Sequence, residues 1–430
     1  MKLKLMLLAL PSLMWAASCS DDDGGKDSPT PDQPAEVRHT QRKSPKRGVG
    51  YSFQLPAVDM LLLSDGISWF YNWSPKTSDE VASEAGRYGV KFVPMAWNDR
   101  YDTAAISNTV SIYGDKYLLA FNEPNLTDQA RMTPAEAAKY WPALKAFAQA
   151  RGLQIVSPAM NYGTLPGYSD PVKWLDEFFA QPGVSIDDIC AIALHCYMNS
   201  ASAVKGYLDK FVKYGKPLWL TEFCAWDGGV KNAAAQVAYM SEVLPYLEEN
   251  PLVERYAWFI PRYKTGEPYM QLLEGSSLTE AGKVYVNAST ADKNAYALPS
   301  QKWRAAHYRS SNASEGVAAD KPFSAAPRLR AATDTEAYGE IEVSSFSTNK
   351  WLEYGLDATS AVSSIKLRVN TLTATSLTVT VDGREVASDN ILTGGEWQTV
   401  ELPAEASKGC HVVRLSVVKG SMSLGWIIFE

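Results

Sequence analysis

Between residues 48 and 260 the sequence alternates short β-type runs with helical stretches, and this alternation constrains the fold more than any other feature. The runs cover residues 48–53, 67–71, 91–95, 117–121, 154–157, 189–194, 218–221 and 256–260. Helix-start signals separate them. Thr133-Pro134-Ala135-Glu136, for example, places a hydroxyl cap, a proline in the first turn and a glutamate that can close a capping box. Eight β-then-α units fit an α/β (β/α)8 TIM barrel, typically about 250 residues long, and residues 47–289 are assigned to it. A doubly wound open sheet is the alternative. Against it, no Gly-x-Gly-x-x-Gly follows the first run and no phosphate loop occurs.

Beyond residue 289 the texture changes. A linker-like patch at 288–294 precedes runs of period two at 365–369, 377–381 and 412–417, with Asp382-Gly383 as a hairpin turn after the second. Residues 300–430 are therefore expected to form an all-β jelly-roll sandwich.

The N-terminus has its own logic. Lys2 and Lys4 start a basic segment, residues 5–15 are apolar, and Ala16-Ala17-Ser18 precede Cys19, the pattern of a signal peptide over residues 1–18. The apolar part is too short to span a bilayer, which takes about 20 residues. A cysteine after Ala-Ala-Ser resembles a bacterial lipoprotein cleavage site, so Cys19 is the expected lipidation point, with a plain secretory signal as the alternative. The Ser20-Asp21-Asp22-Asp23 that follows resembles the acidic signal of lipoproteins on the outer face of some Gram-negative cells. Residues 19–46, rich in Asp, Pro, Ser, Gln and Lys, read as a flexible tether. Of the remaining cysteines, Cys190, Cys196 and Cys224 fall in or beside apolar runs, where a free thiol behaves as a small hydrophobe. Cys190 and Cys196 are separated by about 20 Å along an extended strand and cannot bridge.

A net charge of −7 argues against an electrostatic nucleic-acid binder. The aromatic content is more telling: 13 Trp equal 13 Phe, with 22 Tyr, favouring rings that pair a flat apolar face with a polar handle. Barrel active sites lie at the C-terminal ends of the strands. There the fourth run leads into Asn122-Glu123-Pro124-Asn125 and the seventh into Glu222-Phe223-Cys224. A carboxylate leaving an apolar strand is costly to bury without a partner, and two in one barrel suggest a working pair. Paired carboxylates are what glycosidic cleavage needs, one to protonate the leaving oxygen and one to attack the anomeric carbon or activate water. Trp69, Trp73, Trp97, Trp226 and Trp258 stand near strand ends as candidate sugar platforms, while Trp141 and Trp174 on helical stretches belong to the core. The four histidines show no close spacing, so no metal and no cofactor is expected.

A barrel with Asn-Glu-Pro after the fourth strand and Glu ending the seventh resembles the large retaining glycosidase clan often called clan A. Within it, Gly48-Val49-Gly50-Tyr51, Trp69-Phe70-Tyr71-Asn72-Trp73, Leu119-Ala120-Phe121-Asn122-Glu123-Pro124 and Trp219-Leu220-Thr221-Glu222-Phe223 resemble glycoside hydrolase family 128, whose activity is on β-1,3-glucan. The resemblance implies Glu123 as general acid/base, Glu222 as nucleophile, Asn122 on the sugar 2-hydroxyl and Tyr197 orienting Glu222. His195, Trp97, Trp226, Trp258 and Trp73 complete the expected substrate-binding set. In the second region, Trp351-Leu352-Glu353-Tyr354, Asp382-Gly383, residues 394–400 and residues 420–426 resemble carbohydrate-binding module family 6. Ser423-Leu424-Gly425-Trp426 lacks that family's usual binding Asn, and Ala305-Ala306-His307-Tyr308 lacks its usual carboxylate. That leaves a glycan-binding and a purely structural role open.

The expected protein is thus a monomeric retaining glycoside hydrolase, an endo-β-1,3-glucanase acting by double displacement. Its partner is a β-glucan polysaccharide and its membrane contact is through a lipid anchor, on the outer membrane facing the cell exterior. The alternatives are a non-catalytic surface glycan-binding lipoprotein, or a retaining hydrolase of another β-linked polysaccharide.

Overall fold

In the computed structural model, residues 36–112, 116–226, 230–264, 266–391 and 394–430 are described. The leader, Cys19 and the start of the tether lie outside them. Eight parallel strands form one curled sheet: β1 (Arg47–Gly50), β2 (Trp69–Tyr71), β3 (Lys91–Phe92), β4 (Tyr117–Leu119), β5 (Gln154–Val156), β6 (Ile189–Cys196), β7 (Leu218–Phe223) and β8 (Val253–Trp258). Their order is β3-β2-β1-β8-β7-β6-β5-β4. The closed (β/α)8 ladder expected from the sequence is reached only in part. Between β3 and β4 there is a single bridge, Met95 to Leu119, held by Ala96 N–H to Leu119 O at 2.8 Å and Leu119 N–H to Pro94 O at 3.0 Å. Pro94 has no N–H to give, and β3 is two residues long, so the ladder has little to extend along.

Eight α-helices accompany the strands among the described residues: α1 (Pro56–Leu63), α2 (Asp79–Arg87), α3 (Thr103–Ile112), α4 (Pro134–Ala150), α5 (Pro171–Phe179), α6 (Ala201–Leu208), α7 (Ala233–Glu249) and α8 (Glu280–Asn287). Side-chain caps start most of them. Thr133 and Glu136 close the expected capping box on α4, and Ser78, Asp170, Ser200, Asn232 and Thr279 cap α2, α5, α6, α7 and α8.

Strand parity divides the sheet into two faces. Trp69, Tyr71, Val93, Met95, Tyr117, Leu119, Val156, Ala191, Ala193, Trp219 and Ala257 pack together inside the curl. The alternate residues, such as Phe70, Phe92, Leu118, Ile192, Leu220 and Tyr256, pack against the helices. At the base of the interior the Arg255 guanidinium sits 4.6–5.5 Å from the ring centroids of Trp69, Tyr117 and Trp219. The glycines of β1 make room for this filling. A Cβ on Gly48 would fall 2.5 Å from the Trp69 ring, and one on Gly50 would fall 3.2 Å from both Trp73 and Tyr71.

The second region carries two six-stranded sheets, all-β as expected. One contains Trp351–Ala358, Thr375–Val381, Arg384–Ile391 and Gly409–Lys419; the other contains Ile341–Ser347, Val362–Thr371, Trp397–Ala406 and Ser421–Phe429. Alternation along Thr375–Val381 is strict, with Leu377, Val379 and Val381 buried between partly exposed neighbours.

Residues from 36 onward form one compact unit. Helix α7 explains why. It is buried nearly all round, from Gln236 to Glu248, because one side covers the barrel sheet and another meets the β region. Ser241 Oγ donates to Leu329 O at 2.8 Å, Glu242 pairs with Arg328 at 2.7 Å, and Glu249 accepts from Ser310 Oγ and Ser311 N–H at 3.0 Å each. Tyr246 meets Phe323 edge-on at 5.9 Å.

The tether assignment needs correction over its last part. Residues 36–46 are docked: Arg38 bridges Ala295, Ser44 is buried and donates to Glu248 at 2.9 Å, and the Lys46 ammonium binds the carbonyls of Glu248 and Asn250 at 2.8 and 2.9 Å. A composition poor in large apolar residues hid these contacts, which are a backbone bridge, a hydroxyl on a carboxylate and an ammonium on carbonyls at the end of α7. Cys190, Cys196, Cys224 and Cys410 are free thiols.

Candidate active site

Glu222 lies within β7, and the route by which it faces the cleft is instructive. Strict alternation from the inward Trp219 would turn residue 222 outward. Instead the pairing with β6 slips, so that Leu194 faces Leu220 and His195 faces Glu222, leaving Thr221 as an extra residue. The bulge returns Glu222 to the interior, a common device beside active sites. Glu123 follows β4 with a left-handed backbone, φ 45°, and Trp73 beyond β2 has φ 58°. Such non-glycine conformations cost about 1–3 kcal/mol and persist where surrounding contacts impose them. Here Ala130 N–H bonds Asn122 O and Met132 N–H bonds Pro124 O, folding the following loop back over Glu123.

Both carboxylates are buried, at 6 % exposure for Glu123 and 4 % for Glu222. Glu222 Oε1 accepts from Tyr71 OH at 2.8 Å and Trp73 Nε1 at 2.7 Å, and its Oε2 accepts from Tyr197 OH. Glu123 Oε1 accepts from Asn161 Nδ2 at 3.0 Å and meets His195 Nδ1 at 2.8 Å. His195 Nδ1 also lies 3.3 Å from Glu222 Oε2. Ligand atoms of Glu123, His195 and Glu222 all fall within 4.8 Å of one another, the one such cluster among the described residues. The trio has the makings of a cation site, yet three of its carboxylate oxygens already face N–H or O–H donors, which would compete with a metal ion.

The electrostatics follow from this packing. Burial disfavours charge on His195, but Glu222 and Glu123 outweigh it and raise the imidazole above its usual value. Burial likewise opposes charge on Glu123, but His195, by charge and by hydrogen bond, and Asn161 hold its carboxyl below the usual carboxylate range. Burial and the neighbouring Glu222 push the phenols of Tyr71 and Tyr197 well up, keeping both as donors.

Above the pair opens a cleft of about 850 Å³. Of the residues anticipated from sequence, Trp73, Trp97, Asn122, Glu123, Tyr197, Glu222 and Trp226 line it. Two do not. Trp258 is fully buried on the helix side of β8, with Phe223 at 5.1 Å and Nε1 bonded to Met270 O at 2.8 Å. The inward Ala257 next to it shows why: parity sends residue 258 outward, and Phe259 takes the place at the cleft. His195 is also fully buried and binds the two glutamates from behind, so it supports them and does not touch substrate. Trp69 fills the barrel interior, and Trp141 and Trp174 are core, the last two as expected.

Two site residues escaped the sequence reading. Asn161, beyond β5, is held by Asn125 Nδ2 bonding its carbonyl at 2.6 Å; Tyr71 lies at the end of β2 on the same face as Trp69. The available signals were the second Asn of Asn-Glu-Pro-Asn and the two-residue spacing from Trp69 through Tyr71 to Trp73.

Residues 49–285 match the family described as the glycosyl hydrolase catalytic core. The chain belongs to that family. This glycosyl hydrolase core is similar to a GH128 subgroup II endo-β-1,3-glucanase from Pseudomonas viridiflava, with 41 % identity over 57 % of this chain and 98 % of that one, TM-score 0.52. A second GH128 subgroup II endo-β-1,3-glucanase, from Sorangium cellulosum, is 36 % identical over 56 % of this chain and 97 % of its own, TM-score 0.50. Among curated proteins, the alkali-sensitive linkage protein 1 of Schizosaccharomyces pombe is 27 % identical over 263 residues. Those residues are 57 % of this chain and 45 % of the yeast protein, so the chain spans less than half of that relative.

Proposed function

We propose that the protein is a retaining endo-β-1,3-glucanase of the GH128 type. The observation that carries this reading is the Glu123–Glu222 pair, whose facing atoms lie within 4.8 Å at the floor of a tryptophan-walled cleft. Retaining glycosidases hold their carboxyls about 5–5.5 Å apart, whereas inverting ones need about 6.5–9.5 Å for a water. The linkage and the endo mode are supported by the GH128 relatives, both described as endo-β-1,3-glucanases.

In this mechanism Glu222 Oε2 or Oε1 attacks the anomeric carbon as the glycosidic C–O bond breaks, and Glu123 delivers its proton to the departing oxygen. A glycosyl ester of Glu222 results. Glu123 then takes a proton from water, which attacks the same carbon and releases Glu222. His195 couples the two steps. The proton that Glu123 delivers is drawn from its hydrogen bond with the His195 imidazole at 2.8 Å, and the proton it later takes from water returns to that bond, so the pair ends the cycle as it began. Tyr71, Trp73 and Tyr197 fix the nucleophile's orientation before attack.

The proposed location is the outer face of the outer membrane, through lipid on Cys19. Support comes from the basic start, the apolar run and the acidic residues after Cys19. Loss of membrane association in Cys19→Ser would be the expected result.

The test is a panel of β-1,3-, β-1,4- and β-1,6-linked glucans followed by proton NMR of the first products. Laminarin-type polymers should yield a ladder of oligosaccharides appearing first as β anomers. Glucose as the sole product, α anomers first, or cleavage of another linkage only would overturn the reading. Glu123→Gln should lose about 10²–10⁴-fold in rate while still binding polymer, which separates catalysis from mere capture.

A further inference from the structure

The catalytic cleft does not account for all the sugar-compatible surface on this face of the barrel. An unbroken chain of rings leads away from Glu222. Trp73, bonded to the carboxylate, meets Phe259 at 5.7 Å; Phe259 meets Trp226 at 6.0 Å; and Trp226 meets Tyr263 at 5.8 Å. Trp226 and Tyr263 are both exposed, at 39 % each. Tyr263 then forms part of a second cavity of about 510 Å³, beside the cleft and distinct from it, with Gln54, Arg262, Lys264, Gln271 and Glu274.

The chemistry of that cavity suits a neutral polyhydroxylated ligand. Arg262 is not available as an anion site, because it forks onto the buried Asp59 and bonds Gly275 O at 2.8 Å. This pairing makes a rigid wall. The remaining charges, Lys264 and Glu274, are of opposite sign. Gln54 is exposed at the rim, and Gln271 Oε1 has no hydrogen-bond partner among the described residues. The Lys264 ammonium stands 5.6 Å from the centroid of Tyr263, a donor placed beside an aromatic face. An exposed ring flanked by amide, ammonium and carboxylate groups offers a sugar both stacking and hydroxyl partners.

We infer that Tyr263 and this cavity form an outlying glycan subsite, which takes a glucosyl unit of the same chain whose other residues occupy the cleft. The inference rests on the glucanase reading and deepens it: the protein should prefer chains long enough to pass Trp226 and reach Tyr263.

The experiment uses the full chain and β-1,3-linked gluco-oligosaccharides of increasing defined length. Wild-type kcat/KM should climb with length and then level off. In Tyr263→Ala the ratio of the longest to the shortest cleaved oligomer should fall about tenfold, equivalent to about 1.4 kcal/mol of binding lost at one subsite. Tyr263→Phe, which keeps the ring, should retain most of the ratio, and Gln54→Ala should lower it by itself. An unchanged ratio in Tyr263→Ala, or an equal loss at every length, overturns the subsite. Failure of the wild type to cut any β-1,3 oligomer marks failure of the glucanase reading instead, and removes the subsite with it.

Discussion

His195 Nδ1 lies 2.8 Å from Glu123 Oε1 and 3.3 Å from Glu222 Oε2, so a single buried imidazole touches both carboxylates. Each acid alone would be costly to keep charged at this depth. The cation between them makes the arrangement affordable, and it ties protonation of the site to stability of the fold.

The sign of that tie can be worked out. His195 titrates above its ordinary 6.5 in the folded protein, so its contribution is full below about pH 6.5 and disappears as pH rises through the raised value. Glu123 titrates below its ordinary 4.5, so its contribution is present above about pH 4.5 and disappears as pH falls through the lowered value. Stability from this pair should therefore peak in mildly acidic solution. His195→Gln should lower the thermal midpoint most near pH 6 and least in alkali, with a loss of about 3–5 kcal/mol where the pair is fully charged. Melting curves of both proteins across pH check this; a constant difference would refute it.

Tyr197 donates to Glu222 Oε2 while Tyr71 and Trp73 donate to Oε1. Removing one hydroxyl costs a hydrogen bond to a charged group, about 1.5–3 kcal/mol. Tyr197→Phe should reduce kcat by about 10- to 150-fold with KM little altered, and Tyr71→Phe should act in the same direction. Steady-state kinetics on a soluble β-1,3-glucan measures both.

Trp226 and Trp258 should behave as opposites although one lies just beyond a barrel strand and the other ends one. Trp226 is 39 % exposed at the cleft, so Trp226→Ala should raise KM and leave the melting temperature close to wild type. Trp258 is fully buried, and Trp258→Ala should cost about 3–5 kcal/mol of stability. Parallel denaturant titrations and kinetics distinguish them.

Deleting residues 290–430 should not yield a free-standing barrel. It would uncover the side of α7 around Tyr246 and leave Glu249, whose carboxyl burial already pushes upward, without Ser310 and Ser311. Soluble yield and thermal midpoint of the truncated chain report the outcome; melting like the full chain would contradict it.

How far this was legible from sequence depends on the residue. Glu123 could be found because Asn-Glu-Pro stands directly beyond an apolar run, a position that parity does not affect. Glu222 was identified at its strand end, but the bulge at Thr221 that aims it inward has no signature in the local residues. Trp258 was misplaced for the complementary reason: nearness to a strand end says nothing about which face a side chain takes. Asn161 was invisible because it reaches Glu123 from a neighbouring strand, a contact only tertiary structure creates. Residues 36–46 looked like solvated chain because their docking relies on backbone carbonyls, which composition does not register.

Helix α7 has a consequence for how such proteins can be recombined. It starts eleven residues after Glu222, walls the sheet that carries the nucleophile, and also serves as floor for the β region. The C-terminal part is therefore no interchangeable cassette. Grafting it onto another enzyme, or replacing it with a foreign binding module, would require redesigning the helix that both halves share.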